Sequence, residues 1–158
     1  MDNNGSLRME LDRLLSGKGA HADFATAVAD FPHKLRGAMP NGAAHSPWQV
    51  LEHLRITQWD ILEFSRDPKH VSPVWPDGYW PTKPAPENDA AWDHSIEAFH
   101  RDLKAMRKLV ADPSSDLFQP FAHGDGQTLL REALQLADHN AYHLGGMILL
   151  RRLLGAWK

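Results

Sequence analysis

The chain has 158 residues, 42% of them hydrophobic, with 17 Lys+Arg against 20 Asp+Glu, ten His and no Cys. That length and apolar content suit one compact domain over residues 1–158, and a net charge of −3 without blocks of like charge speaks against nucleic acid or an anionic membrane as partner. The missing cysteine excludes disulfides, thiolate metal sites and a sulfur nucleophile of the protein's own. MDNNGSLRMELDRLL, the amino-terminal stretch, has no basic segment followed by an apolar core, and no apolar run approaches the roughly 18 residues of a membrane span, so a soluble, cytoplasmic protein is expected.

In chain order, Leu7, Leu11, Leu14 and Leu15 make one helical stripe and Phe24, Val28 and Phe31 another. Gly-Lys-Gly at 17–19 separates them and the breakers Pro32, Gly37 and Pro40 follow, which predicts two short helices and a loop. Residues 46–64, SPWQVLEHLRITQWDILEF, open with Ser46 as N-cap, Pro47 at the first helical position and Gln49 closing a capping box. VSPVWPDGYWPTKPAP at 71–86 carries five prolines, which forbid a helix or a central strand and predict an ordered crossover presenting Trp75, Tyr79 and Trp80. In residues 88–112 Trp92, Ile96, Phe99, Leu103, Met106 and Val110 alternate spacings of four and three, the seam of a bundle, and Pro113 stops it. The last helix runs from about Thr128 to Leu154, with Arg151 and Arg152 in its final turn and Gly155 closing it. No strand-like alternation or repeat appears, so the fold class is all-α: four main helices in a bundle, with a long Pro/Trp-rich crossover between the second and third.

His139 and His143 stand four residues apart on the last helix, within a stripe shared by Leu136, Met147, Leu150 and Leu154 that is expected to face the core. Such a pair lies about 40° apart with β-carbons roughly 5–6 Å from each other. On the capped helix His53 follows Val50 by three positions and precedes Leu54, again on or beside the buried stripe. A single inward histidine is ordinarily a core residue whose nitrogens the chain satisfies. Three of them need up to six partners, at roughly 1–3 kcal/mol for each nitrogen left unsatisfied. One shared divalent cation removes that cost. Spacing alone leaves structural histidines and metal ligands both open.

HSPWQVLEHL at 45–54, the middle helix, and DHNAYHLGGMILLRRLLG at 138–155 together resemble the DinB/YfiT-like family over residues 46–155. The resemblance implies a four-helix bundle, commonly a homodimer, holding a divalent transition metal (Zn, Ni, Fe or Mn) on His53, His139 and His143. Activities known in that family include S-transferases that use low-molecular-weight thiols and a thiol-dependent isomerase, while many members have no established reaction. Fold transfers better than function. The Gly-Lys-Gly break in the first helix departs from the family's pattern.

The other polar candidates read less sharply. His94 and His100 lie about 120° apart on a helix and cannot share a ligand, and His21, His33 and His70 sit in polar segments expected at the surface. His45 and His123 each lie in the loop before a ligand-bearing helix. In AHGDGQTLLREAL at 122–134 the glycines free the backbone near a helix start whose amides can hold an anion, which makes His123 a substrate-side candidate, with loop capping as the alternative. Gly145 and Gly146 sit inside the last helix, each costing roughly 1 kcal/mol relative to alanine. Gly146, on the His143 face, leaves room for a ligand or for a close helix crossing. Trp75, Tyr79 and Trp80 are expected to cover the open end of the site, to clasp the bundle or to form a dimer surface. Asp60, two turns from His53, is a candidate to hydrogen-bond a ligand or to act as general base, beside the alternative of an ordinary solvated carboxylate.

Three neutral imidazoles leave a cation its full charge and an open position, at which an external thiol or water would lose its proton more readily. The expected function is therefore a metal-dependent enzyme acting on a small molecule, with transfer of a low-molecular-weight thiol to a small electrophile placed first. The alternatives are a metal-dependent hydrolase and a non-catalytic, metal-binding stress-response module.

Overall fold

The computed structural model describes residues 3–157. Its helices are α1 (Asn3–Leu15), α2 (Phe24–Val28), α3 (Pro47–Arg66), α4 (Asp89–Ala111) and α5 (Leu129–Leu153), with short 3₁₀ turns at His33–Leu35 and Asp77–Tyr79. No strand occurs among the described residues beyond an isolated bridge between Pro120 and Thr128. The four long helices α1, α3, α4 and α5 form the bundle, in which α3 packs chiefly on α4 and α5, and α1 on the same two.

Local chemistry sets the ends. At α3 the Ser46 hydroxyl accepts from the Gln49 amide at 3.2 Å and the Gln49 side chain accepts from the Ser46 amide at 3.1 Å, a closed capping box. Asp23, Asn88 and Thr128 cap α2, α4 and α5 in the same manner with their side-chain oxygens. Past α1 and α5 the chain turns through Gly17 and Gly155 at φ +67° and +68°, a left-handed conformation that glycine alone adopts without strain. Two buried arginines tie loose ends together. Arg8 on α1 donates to the carbonyls of Val110 and Ser115 at the end of α4, and Arg151 on α5 donates to those of Ala27, Ala29 and Ala156. Arg151 therefore does more than complement its own helix dipole: it caps α2.

The core has two halves. Phe24, Trp48, Leu51, Leu54, Trp92, Phe99 and Met147 fill one, and Leu11, Leu62, Met106, Val110, Leu117 and Leu136 the other. At the level between them the buried Gln58 of α3 donates to the Phe99 carbonyl at 2.6 Å and accepts from Asn140 at 3.1 Å, joining α3, α4 and α5. The crossover is ordered as expected, because its backbone is used: Pro81 accepts from Gln49 at 3.0 Å and Pro84 from the Ser46 hydroxyl. No described helix is long and apolar enough to cross a membrane.

Candidate metal centre

His53 comes from the second turn of α3, His139 and His143 from successive turns of α5. One donor nitrogen of each lies within 4.8 Å of the other two, and the His53 Nε2 stands 3.0 Å from His139 Nε2 and 3.1 Å from His143 Nε2. The inward stripe of α5 is rotated from the one expected: Ala133, Leu136, Ala137, Asn140, Leu144 and Met147 are buried, while His139 and His143 are half-buried at its edge. Only His53 is fully inside. The cause is the 100° advance per residue, which puts Asn140 and Leu144 in the core and their preceding histidines at its margin.

The donor set fits a divalent transition ion. Two nitrogens each about 2.0–2.1 Å from one ion are about 2.8–3.4 Å apart for bond angles between a right angle and the tetrahedral value, a range that contains the His53–His139 and His53–His143 separations. His53 Nδ1 lies 3.0 Å from the Tyr79 carbonyl, which only accepts, so Nδ1 carries the proton and Nε2 presents its lone pair inward. That single lone pair faces two further imidazole nitrogens. Burial, reinforced by repulsion from neighbouring imidazoles, lowers His139 from 6.5 to about 4 and His143 from 6.5 to about 3. Burial lowers His53 too, against the opposing pull of the Tyr79 carbonyl. All three rings are therefore neutral near pH 7, the form that binds metal.

Behind His53 a polar chain fixes the crossover. The Tyr79 hydroxyl donates to Asp60 Oδ2 at 2.6 Å, and His70 Nε2 reaches Asp60 Oδ1 at 2.7 Å. Asp60 is buried rather than solvated and touches none of the three histidines through a hydrogen bond of its own. It acts through Tyr79, whose phenol burial and the Asp60 carboxylate push well above the ordinary range. His70, expected at the surface, has a side chain only 8% exposed because Asp60 draws it in.

The remaining candidates divide. Trp80 lies on the cluster, its ring stacked on His53 at 3.7 Å and on His45 at 3.8 Å, so both its faces are covered. Tyr79 contributes its carbonyl and its hydroxyl to structure, not to an open surface. Trp75 is 71% exposed and packs on Tyr79, away from the cluster. His123 is not brought to the site: it donates to the Phe64 carbonyl at 2.8 Å, near the far end of α3. Two of the α5 amides beside it are also engaged, Leu130 with the Leu117 carbonyl and Arg131 with Thr128 Oγ1. A methyl group at Gly124 would run into Phe64 and Gln127, which explains that glycine by close loop packing. Gly146 does adjoin the site. A Cβ there would meet nothing within 4 Å, and the residue lines a cleft of about 630 Å³ together with His143, Trp80 and His45. His45 is the residue whose part sequence reasoning left undefined. Its signal was its place in the loop immediately before the Ser46 cap.

Residues 18–147 match the DinB superfamily, most of the chain's length, and the protein belongs to that family. No curated protein and no solved structure matches the chain.

Proposed function

We propose that the protein is a metal-dependent transferase that joins an external low-molecular-weight thiol to a small electrophile, with His53, His139 and His143 holding the metal. The observation that carries this reading is the convergence of three imidazole nitrogens, those of His53, His139 and His143, the last of which also lines a cleft. A divalent transition ion bound there would supply positive charge that lowers the pKa of a nearby thiol from about 8.5, so that thiolate forms near neutral pH. The chain does the rest. Tyr79 holds His53 by its carbonyl, Asp60 and His70 hold Tyr79, and Trp80 closes one side of the cluster against water. Having no cysteine, the chain offers no thiol to compete for the ion, so the sulfur must come from outside. A homodimer belongs to the same proposal, on the strength of the family resemblance alone.

The test is thiol consumption by metal-loaded protein across several biological thiols, each with a neutral alkylating electrophile. Wild type is expected to consume at least one thiol faster than His139→Ala. Equal rates for every thiol, with metal confirmed in the wild type, would leave the transferase reading without support.

A further inference from the structure

The cleft beside His143 carries information about what enters it. Fourteen residues line it, and none of them is Asp, Glu, Lys or Arg. Its long wall is aliphatic, formed by Val50 with Leu149, Leu150 and Leu153 of α5. Gly145 and Gly146 interrupt that wall, and a side chain at either would project into open space. Trp80, with both faces already stacked, contributes only an edge. The polar side chains of the lining are those of Asn41, His45, Tyr142 and His143, and His143 alone among them belongs to the histidine cluster.

We propose that this cleft binds an uncharged, predominantly apolar small molecule, its polar or reactive atom at His143 and its body along the α5 wall across Gly146. A formal charge on that body would lose its hydration without gaining a partner of opposite sign, whereas apolar surface is buried at no such cost. The occupant's role as the electrophile rests on the thiol-transfer reading; its binding does not.

The pair meta-dinitrobenzene and 3,5-dinitrobenzoate tests the inference, since the two differ in charge more than in shape and neither needs to react. Equilibrium dialysis against metal-free full-length protein, in which no cation at His143 offers the carboxylate a partner, is expected to show the neutral probe binding at least tenfold more tightly than the carboxylate. Gly146→Phe should weaken the neutral probe at least tenfold while metal content and helical circular dichroism stay at wild-type values, and Leu149→Asp should do the same from the opposite side of the glycine gap. Equal affinity for the two probes, or neutral binding indifferent to both substitutions, would overturn the proposal. So would a sedimentation result in which wild type is dimeric, Gly146→Phe is monomeric and neither binds the neutral probe, because a second copy of the chain would then be the occupant. Tight neutral binding without thiol consumption keeps the cleft and removes the transferase; thiol consumption that favours anionic electrophiles does the reverse.

Discussion

Two histidine sites meet α3 two turns apart, and they differ in how they are closed. At the Asp60 end, His70 finds a carboxylate and the carboxylate finds a tyrosine hydroxyl, so every group named there has a partner within the chain. At the His53 end, three imidazoles face one another through their ring nitrogens with no acid among them. A polar cluster that the chain completes is architecture. One that stays incomplete while pointing its lone pairs at a common centre is a site for something else.

The largest effect expected from this difference is on metal-linked stability. Zinc or nickel at about a thousand times its dissociation constant should stabilise the native state by about 4 kcal/mol, which raises Tm by roughly 8–16 °C for a chain of this size. In a variant with His53, His139 and His143 all changed to alanine the shift should vanish, whereas His70→Ala should retain it. A full shift in the triple variant would erase the distinction between the two sites.

Next in size is a pH effect on the metal-free protein. Unfolded histidines take up protons near 6.5, but His139 in the fold does so only near 4 and His143 only near 3. The unfolded state therefore binds more protons across that interval, and stability falls as pH drops from 6.5 towards 4 and below. Glu132, whose carboxyl burial holds above 4.5, acts in the opposite sense, and Asp12, lowered by its bond to Arg107, contributes its loss only below 3.8. Urea midpoints of apoprotein at pH 7.5 and 5.0 should fall distinctly for wild type and much less for the triple alanine variant. Parallel falls in both proteins would assign the effect elsewhere.

Tyr79→Phe joins the two regions, because the phenol belongs to one and the carbonyl of the same residue to the other. Removing the hydroxyl leaves a buried carboxylate oxygen short of a donor, at about 1–3 kcal/mol. Metal affinity should weaken too, by up to about tenfold, since the loosened carbonyl orients His53 less firmly. Calorimetric metal titration checks it; an unchanged affinity with reduced stability would confine the hydroxyl to the Asp60 region. The smallest effect belongs to His123→Ala. It should remove one loop hydrogen bond, at about 0.5–1.5 kcal/mol in a denaturant titration, with no change in metal binding.

Much of this was legible in the residues. The capping box at Ser46, the proline run of the crossover and the seam from Trp92 to Val110 each have local causes, and α3, α4 and α5 end within two residues of where those signals put them. The four-residue spacing that brings His139 and His143 together was legible for the same reason, being a property of a single helix, whereas the face they occupy was not. What required the fold was everything between elements. Nothing near Asp60 in sequence announces that Tyr79 and His70 will fold back onto it from the crossover. His123 resembled a substrate group because its glycine-rich loop precedes α5, yet its distance from the cluster depends on which end of α3 that loop reaches. The rotated stripe of α5 escaped detection because Asn140, polar by type, occupies a core position where Gln58 satisfies it.

Metal content measured together with ligand replacement tests the central claim most directly. Protein expressed with a transition metal supplied, dialysed against a weak chelator and analysed by elemental mass spectrometry should retain about one divalent ion per chain. The His53, His139 and His143 triple alanine variant, folded by circular dichroism, should retain essentially none. Equal retention by the two proteins, or none by wild type after loading with each of zinc, nickel, iron and manganese, would contradict the account.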